Sequence, residues 1–316
     1  MELIVLALLL SGMPADDAAS PATSTGVIRG VVLDGTHSGE ALAGADVILR
    51  ASVAGELVPV GQTQTDRYGR FSFVEVPLNP DIVYLPGANR DGVHYPGRRV
   101  RLDSDRRVAD VQVVAYSAVD APCPLVADRH EFDLTVDGQT LIVSETLEIS
   151  NPTLATFVGR PMSGGAPVTL CLSIPPDFDR VTFDREFYGR RFHIVDRKPV
   201  TDMPWLPGKQ ELRFTYRVPL AETAGKYHRP LDIPAAEVRV RMSGPLAAQV
   251  ACNLPLTVSS DSDRLEYASN DGRLLERFAL DVQVGDLPNS WLRYGRWTAL
   301  GILAALTTVT LIAYRR

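Results

Sequence analysis

Cysteine is scarce in this 316-residue chain: Cys123, Cys171 and Cys252 only, an odd number with no metal-type spacing. That excludes a complete disulfide framework and a cysteine metal cluster. Histidine is scarce too, at five scattered residues, and none stands in a triad-like context. Phosphate loops, dinucleotide fingerprints and a Gly-x-Ser-x-Gly elbow are absent; Ser163 precedes Gly164-Gly165 at the wrong spacing. The Asp103/Asp105, Asp177/Asp179 and Asp261/Asp263 pairs lack the turn glycine and distal glutamate of a calcium loop and read as turn caps. Excess positive charge is lacking, and a net charge of -6 argues against nucleic acid or anionic lipid as a partner. The expectation is a protein with no catalytic residues, no metal and no cofactor, and not an enzyme.

Long apolar runs are missing from the body of the chain but stand near both ends. Trp297 to Tyr314 is uninterrupted, without charge or proline, and is closed by Arg315 and Arg316. Its 18 residues give a helix of about 27 Å, enough to cross a bilayer core. Trp291, Tyr294, Trp297 and Tyr314 fit aromatic belts at both interfaces. A transmembrane helix over 296–314 is expected, with the lipid bilayer as its partner. Residues 3–12 form a signal-type apolar stretch, and Ala18, Ala19 and Ser20 follow as small residues for cleavage, so 1–20 reads as a signal peptide. Met1-Glu2 supplies no basic residue before that stretch. Arg293 and Arg296 balance Arg315 and Arg316, so flanking charge does not set the orientation. The signal peptide does, and it puts the bulk of the chain outside a single-pass cell-membrane anchor. The end also resembles, distantly, the sorting tails cut by bacterial transpeptidases, with Leu287-Pro288-Asn289-Ser290-Trp291 departing from Leu-Pro-x-Thr-Gly at its last two positions.

Between the ends the pattern is β throughout. With 24 glycines and 23 prolines the chain is rich in turns, and helical periodicity is absent. A first domain is expected over 21–119. Its opening strand is Val27–Asp34, followed by strands over 41–49 and 57–65. Asp66 caps a turn in which Gly69 takes positive φ, Phe71 and Phe73 then point inward with Arg70 and Ser72 outward, and a closing strand runs over 108–115. Residues 84–107 are the most polar and least strand-like part. There Tyr84, His94, Tyr95, Arg98 and Arg99 form a candidate ligand patch, the alternative being a solvated hairpin whose arginines pair with Asp91, Asp103 and Asp105.

Gly30 and Val32, then Leu42, Gly44-Ala45 and Val47, then Thr65-Asp66, Gly69, Phe71, Phe73 and Pro77 resemble the regulatory-like domain of carboxypeptidases. That resemblance covers about 90 residues and implies a transthyretin-like sandwich, often grouped with carbohydrate-binding-like folds; it is almost silent on function. His37 and Glu40 match the His-x-x-Glu pattern of zinc carboxypeptidases, but they fall in a turn with no peptidase domain around it and read as solvated.

A linker is expected over 120–127 and a second, immunoglobulin-like sandwich over 128–286. Phe132, Leu134 and Val136 alternate up to an Asp137-Gly138 hairpin turn; Leu141, Val143, Leu147 and Ile149 continue one face, which Asn151-Pro152 stops. Glu145 falls on that apolar face. Either a bulge turns it outward or an arginine partners it inside, and the bulge is expected because an unpaired buried carboxylate is costly. Strand parity points Cys171 outward and Cys252 inward, so they are expected to stay free. The fold class is thus all-β: two tandem antiparallel β-sandwiches plus one C-terminal transmembrane helix. The expected role is non-catalytic, presenting a surface to a protein or glycan of the envelope. A carbohydrate-binding module, with Tyr84, Tyr95 and Tyr188 as its aromatics, and an accessory subunit of a membrane enzyme or transporter complex are the other readings.

Overall fold

The computed structural model describes residues 24–53, 55–161, 165–184, 192–221, 223–244, 250–257, 264–269, 275 and 277–285. Among them every regular element is a β-strand, and no helix is long and apolar enough to cross a membrane. The runs at 3–12 and 297–314 lie outside the described residues. The chain divides between Ala115 and Tyr116 into two compact units, with Gly35–Ser38 counted in the second.

In the first unit Thr25–Asp34 is the central strand of one sheet. Arg70–Pro77 and Glu40–Ala41 pair with it antiparallel, and Val108–Ala115 pairs with it in parallel along nearly its whole length. A second sheet runs in the order Glu56–Gln64, Asp46–Val53, Asn79–Arg90 and Val93–Pro96, with Val100–Leu102 also on Asn79–Arg90. Alternation buries Ile28, Val32, Phe71, Phe73, Val111 and Val113 from the first sheet and Val47, Leu49, Tyr84, Ala88, Tyr95 and Leu102 from the second. The expected Asp66 turn is present. Asp66 Oδ1 accepts the Tyr68 and Arg70 amides at 2.8 Å each, and Gly69 has φ +70°. The backbone amides hold the Asp66 carboxyl below the usual range.

Two expectations fail in this unit. Much of 84–107 is strand rather than loop, because its polar residues are cross-strand partners: Asn89 lies opposite His94, and their side chains hydrogen-bond at 2.7 Å. The unit is also not purely antiparallel, since the opening and closing strands run side by side in one direction.

In the second unit a seven-stranded sheet runs in the order Val181–Phe183, Gly208–Pro219, Thr140–Asn151, Val126–Asp137, Val238–Ser243, Arg264–Ala268 and Leu256–Thr257. Its hairpin is the expected one: Asp137 pairs with Thr140 and Gly138 has φ +64°. The Val126 and Val238 strands are parallel, again against the antiparallel expectation. A three-stranded sheet, Lys226–Pro230, Ala279–Val284 and Val250–Cys252, contributes Tyr227, Leu280, Val282, Val284 and Val250 to the core that also holds Phe132, Leu147, Phe214 and Val240 of the large sheet. This unit starts earlier than the expected linker allows. Ala118–Val119 pairs in parallel with Thr156–Phe157, and Val126 already opens a strand. Cys123, Cys171 and Cys252 are free.

Candidate functional site

The Thr140 strand runs against the Gly208 strand in unbroken register from Thr140 to Asn151, so no bulge exists at Glu145. Glu145 therefore shares the inward face of Val143 and Leu147 and is 0% exposed. The expected bulge is overturned by the partners that meet it. Arg229 of the Lys226 strand, also 0% exposed, donates Nε to Oε1 at 2.9 Å and Nη2 to Oε2 at 3.1 Å. His130 Nε2 reaches Oε2 at 2.8 Å. Tyr216 donates its hydroxyl to Oε1 at 2.5 Å, and the Tyr227 oxygen lies 2.6 Å from the Tyr216 oxygen. Arg229 Nη2 also binds Asp232 at 2.7 Å, whose other oxygen accepts the Ser173 amide at 2.7 Å. Arg229 Nη1 donates to the Pro230 carbonyl.

Burial pushes the Glu145 carboxyl up, but Arg229 and then His130 outweigh it and hold it at about 2. Burial, then the Glu145 charge, pushes the Tyr216 and Tyr227 hydroxyls well above their ordinary value. Burial opposes the Arg229 charge, yet Glu145 and Asp232 prevail and hold its pKa well above normal. The cluster thus has the residue types of acid–base chemistry in a setting that locks Glu145, Arg229, Tyr216 and Tyr227 each in one state. It joins the seven-stranded sheet to the three-stranded one through charge-assisted hydrogen bonds. Its signal in the sequence was four polar residues on inward positions of apolar strands: His130 in step with Phe132, Glu145 with Leu147, Tyr216 with Phe214 and Arg229 with Tyr227.

The patch expected at Tyr84, His94, Tyr95, Arg98 and Arg99 does not form as an exposed surface. Tyr84 and Tyr95 are 2% and 1% exposed, because both occupy inward positions, and Tyr84 donates its hydroxyl to the Pro77 carbonyl at 2.8 Å. His94 is half-buried between Asn89 and the guanidinium of Arg50. Burial, then Arg50, pushes it down to about 4. Arg98 and Arg99 remain open to solvent. Tyr188, Ser163, Asp261 and Asp263 lie outside the described residues. His37 and Glu40 are exposed, and no group of three or more potential metal ligands occurs among the described residues. Asp103 Oδ1 accepts the amides of Asp105 and Arg106, the expected turn cap.

Arg98 instead helps to line an open groove of about 1060 Å³ on the first unit, with Arg29, Arg70, Ser72, Asp110 and Gln112. Arg29 pairs with Asp110 at 2.7 Å, and Arg98 Nη2 donates to the Asp110 carbonyl at 2.7 Å. Arg70 lies against the Tyr68 ring, 5.6 Å from its centroid.

No family model and no curated protein matches the chain. Among solved structures it is similar to a two-domain M1 zinc metallopeptidase at 15% identity and a TM-score of 0.32, over 51% of this chain and 43% of that one. Native yeast LTA4 hydrolase is similar at 11% identity and a TM-score of 0.34, over 52% of this chain and 30% of that one. A putative carbohydrate-binding protein from Pseudomonas aeruginosa is similar at 17% identity and a TM-score of 0.22, over 31% of this chain and 93% of that one. The chain covers less than half the length of either the metallopeptidase or the hydrolase, and at these scores none of the likenesses carries an argument about its activity.

Proposed function

We propose that this chain is a membrane-anchored, extracytoplasmic envelope protein whose β units bind or brace another envelope component without catalysing a reaction. The observation that carries the non-catalytic part is the enclosure of the Glu145 cluster, where acid, base and hydroxyl groups converge with Glu145 and Arg229 at 0% exposure and no side of the carboxylate left for a substrate. The anchoring part rests on the apolar run from Trp297 to Tyr314 and on the signal-type residues 3–12. In this reading the first unit is a transthyretin-like sandwich of the carboxypeptidase regulatory-like kind and the second an immunoglobulin-like one. Protease treatment of intact cells carrying a C-terminal tag tests it. Digestion of the β units from outside, leaving a small tagged membrane fragment, is expected. A body that resists until the membrane is breached would overturn the extracytoplasmic placement. A glycan partner is favoured over a protein one by the charged and amide side chains, among them Arg29, Arg70, Arg98, Asp110 and Gln112, that line the groove of the first unit.

A further inference from the structure

We propose that the groove on the first unit is a binding site for an anionic, hydroxyl-rich polymer, a chain of sugars or polyols carrying carboxylate or phosphate groups. The proposal deepens the binding role proposed above and rests on it for the setting in which such a polymer is met. The site is built by register. Arg29 sits beside Ser72 on one neighbouring strand and beside Asp110 on the other, and Val31 sits between Arg70 and Gln112 in the same way. Two rows of three outward side chains result, with strands about 4.8 Å apart and same-face residues about 6.8 Å apart along each strand. Gly30, between the rows, allows the sheet and the ring beneath it to close up: a Cβ there would stand 2.0 Å from the Val111 carbonyl oxygen and 2.6 Å from the Phe71 ring.

The rows offer donors and acceptors in mixture, as a hydroxylated chain requires, around one apolar side chain, Val31. A protein-binding patch would centre on apolar and aromatic anchors instead. Charge decides the sign of the ligand. Arg29 and Asp110 neutralise each other at 2.7 Å. Arg98 spends one nitrogen on a backbone carbonyl and Arg70 rests on Tyr68, and neither forms an ion pair among the described residues. Asp66 also lines the groove, so three guanidiniums, Arg29, Arg70 and Arg98, stand against two carboxylates, Asp66 and Asp110, and one net positive charge is left to face an anion. One net positive charge in the groove, on a chain of net charge -6, is too little for nucleic acid, whose affinity grows with each phosphate neutralised.

The test is calorimetric titration of the full chain in detergent with three probes: oligogalacturonate, its methyl ester, and poly(glycerol phosphate). Saturable binding of at least one anionic probe and none of the neutral ester is expected, weakening as salt is raised. Binding of the galacturonate alone assigns the carboxylate source, and binding of the glycerol phosphate alone assigns the phosphate source. Arg70→Ala and Arg98→Ala should each weaken binding about tenfold, the loss of one charge-assisted contact. Arg217→Ala on the second unit should not. Arg70 and Arg98 both face solvent, so the urea midpoints of their variants should match that of the parent. Equal binding of the ester, binding indifferent to both arginine variants, or no binding of either anionic probe overturns the proposal. Such a failure leaves the protease result above untouched, whereas protection from protease overturns the envelope placement without altering the titration.

Discussion

In the first unit His94 is half-buried beside Arg50 and is held neutral, pushed down to about 4; in the second Glu145 is wholly buried and held ionised, at about 2. The difference lies in the neighbour. Arg50 repels a proton from an imidazole already disfavoured as a cation by burial. Arg229 attracts a carboxylate strongly enough to offset the same burial. A neutral group needs only two hydrogen bonds, from Arg50 and to Asn89. A charge needs a whole shell, here Arg229, His130 and Tyr216 around Glu145 and Asp232 behind Arg229. The first unit approaches the second arrangement at Asp34 and Arg90, 2.7 Å apart, but that pair keeps contact with solvent.

The largest expected break in this contrast is Arg229→Met. It strands Glu145 and Asp232 in the core and should lower unfolding stability by about 3–5 kcal/mol in urea melts. Acid should separate the units next. Glu145 has a folded value below its unfolded one, so its contribution, on the order of 3 kcal/mol, is present above about 4.5 and is lost as pH falls toward 2. His94 is also depressed. The unfolded chain takes its proton first, so stability falls as pH drops from about 6.5 toward 4, by about 1–2 kcal/mol after allowing for its partial solvation. Hydrogen exchange across a pH series should therefore show the first unit loosening before the second. Gly30→Ala sharpens the contrast from the packing side. Its Cβ meets backbone at Val111, and a loss of about 1–3 kcal/mol confined to the first unit is expected by thermal melting. Arg241→Ala should matter least. Arg241 pairs with Glu131 and Asp133 on the solvent side of the second unit, and its removal should shift stability by less than about 1 kcal/mol.

The same contrast separates what could be read from sequence from what could not. Local devices were legible: the Asp66 turn, the inward Phe71 and Phe73, the strand Val108–Ala115 and the hairpin at Gly138 each depend on a few adjacent residues. Pairings distant in sequence were not. The parallel match of Thr25–Asp34 with Val108–Ala115 leaves no mark on either strand alone. Strand Asn79–Arg90 was hidden by Pro86-Gly87 and by polar residues whose partners sit across the sheet. Glu145 was recognisable as an intruder on an apolar face, but Arg229 is 84 residues away, and without it a bulge was the simpler explanation. Of the candidate patch, Arg98 alone reaches the groove, since Arg29, Arg70 and Asp110 meet only through the register of three strands, while Tyr84 and Tyr95 turn into the core.

The most direct test of the contrast is a carbon-13 NMR titration of the Glu145 carboxyl in the intact chain. A carboxylate that serves as a structural counter-ion stays ionised through pH 4 and begins to protonate only as the second unit unfolds toward pH 2. Titration above about 4.5 with the fold intact would mean that Glu145 can exchange its proton freely, as a general acid does, and would contradict its reading as a locked brace of the core.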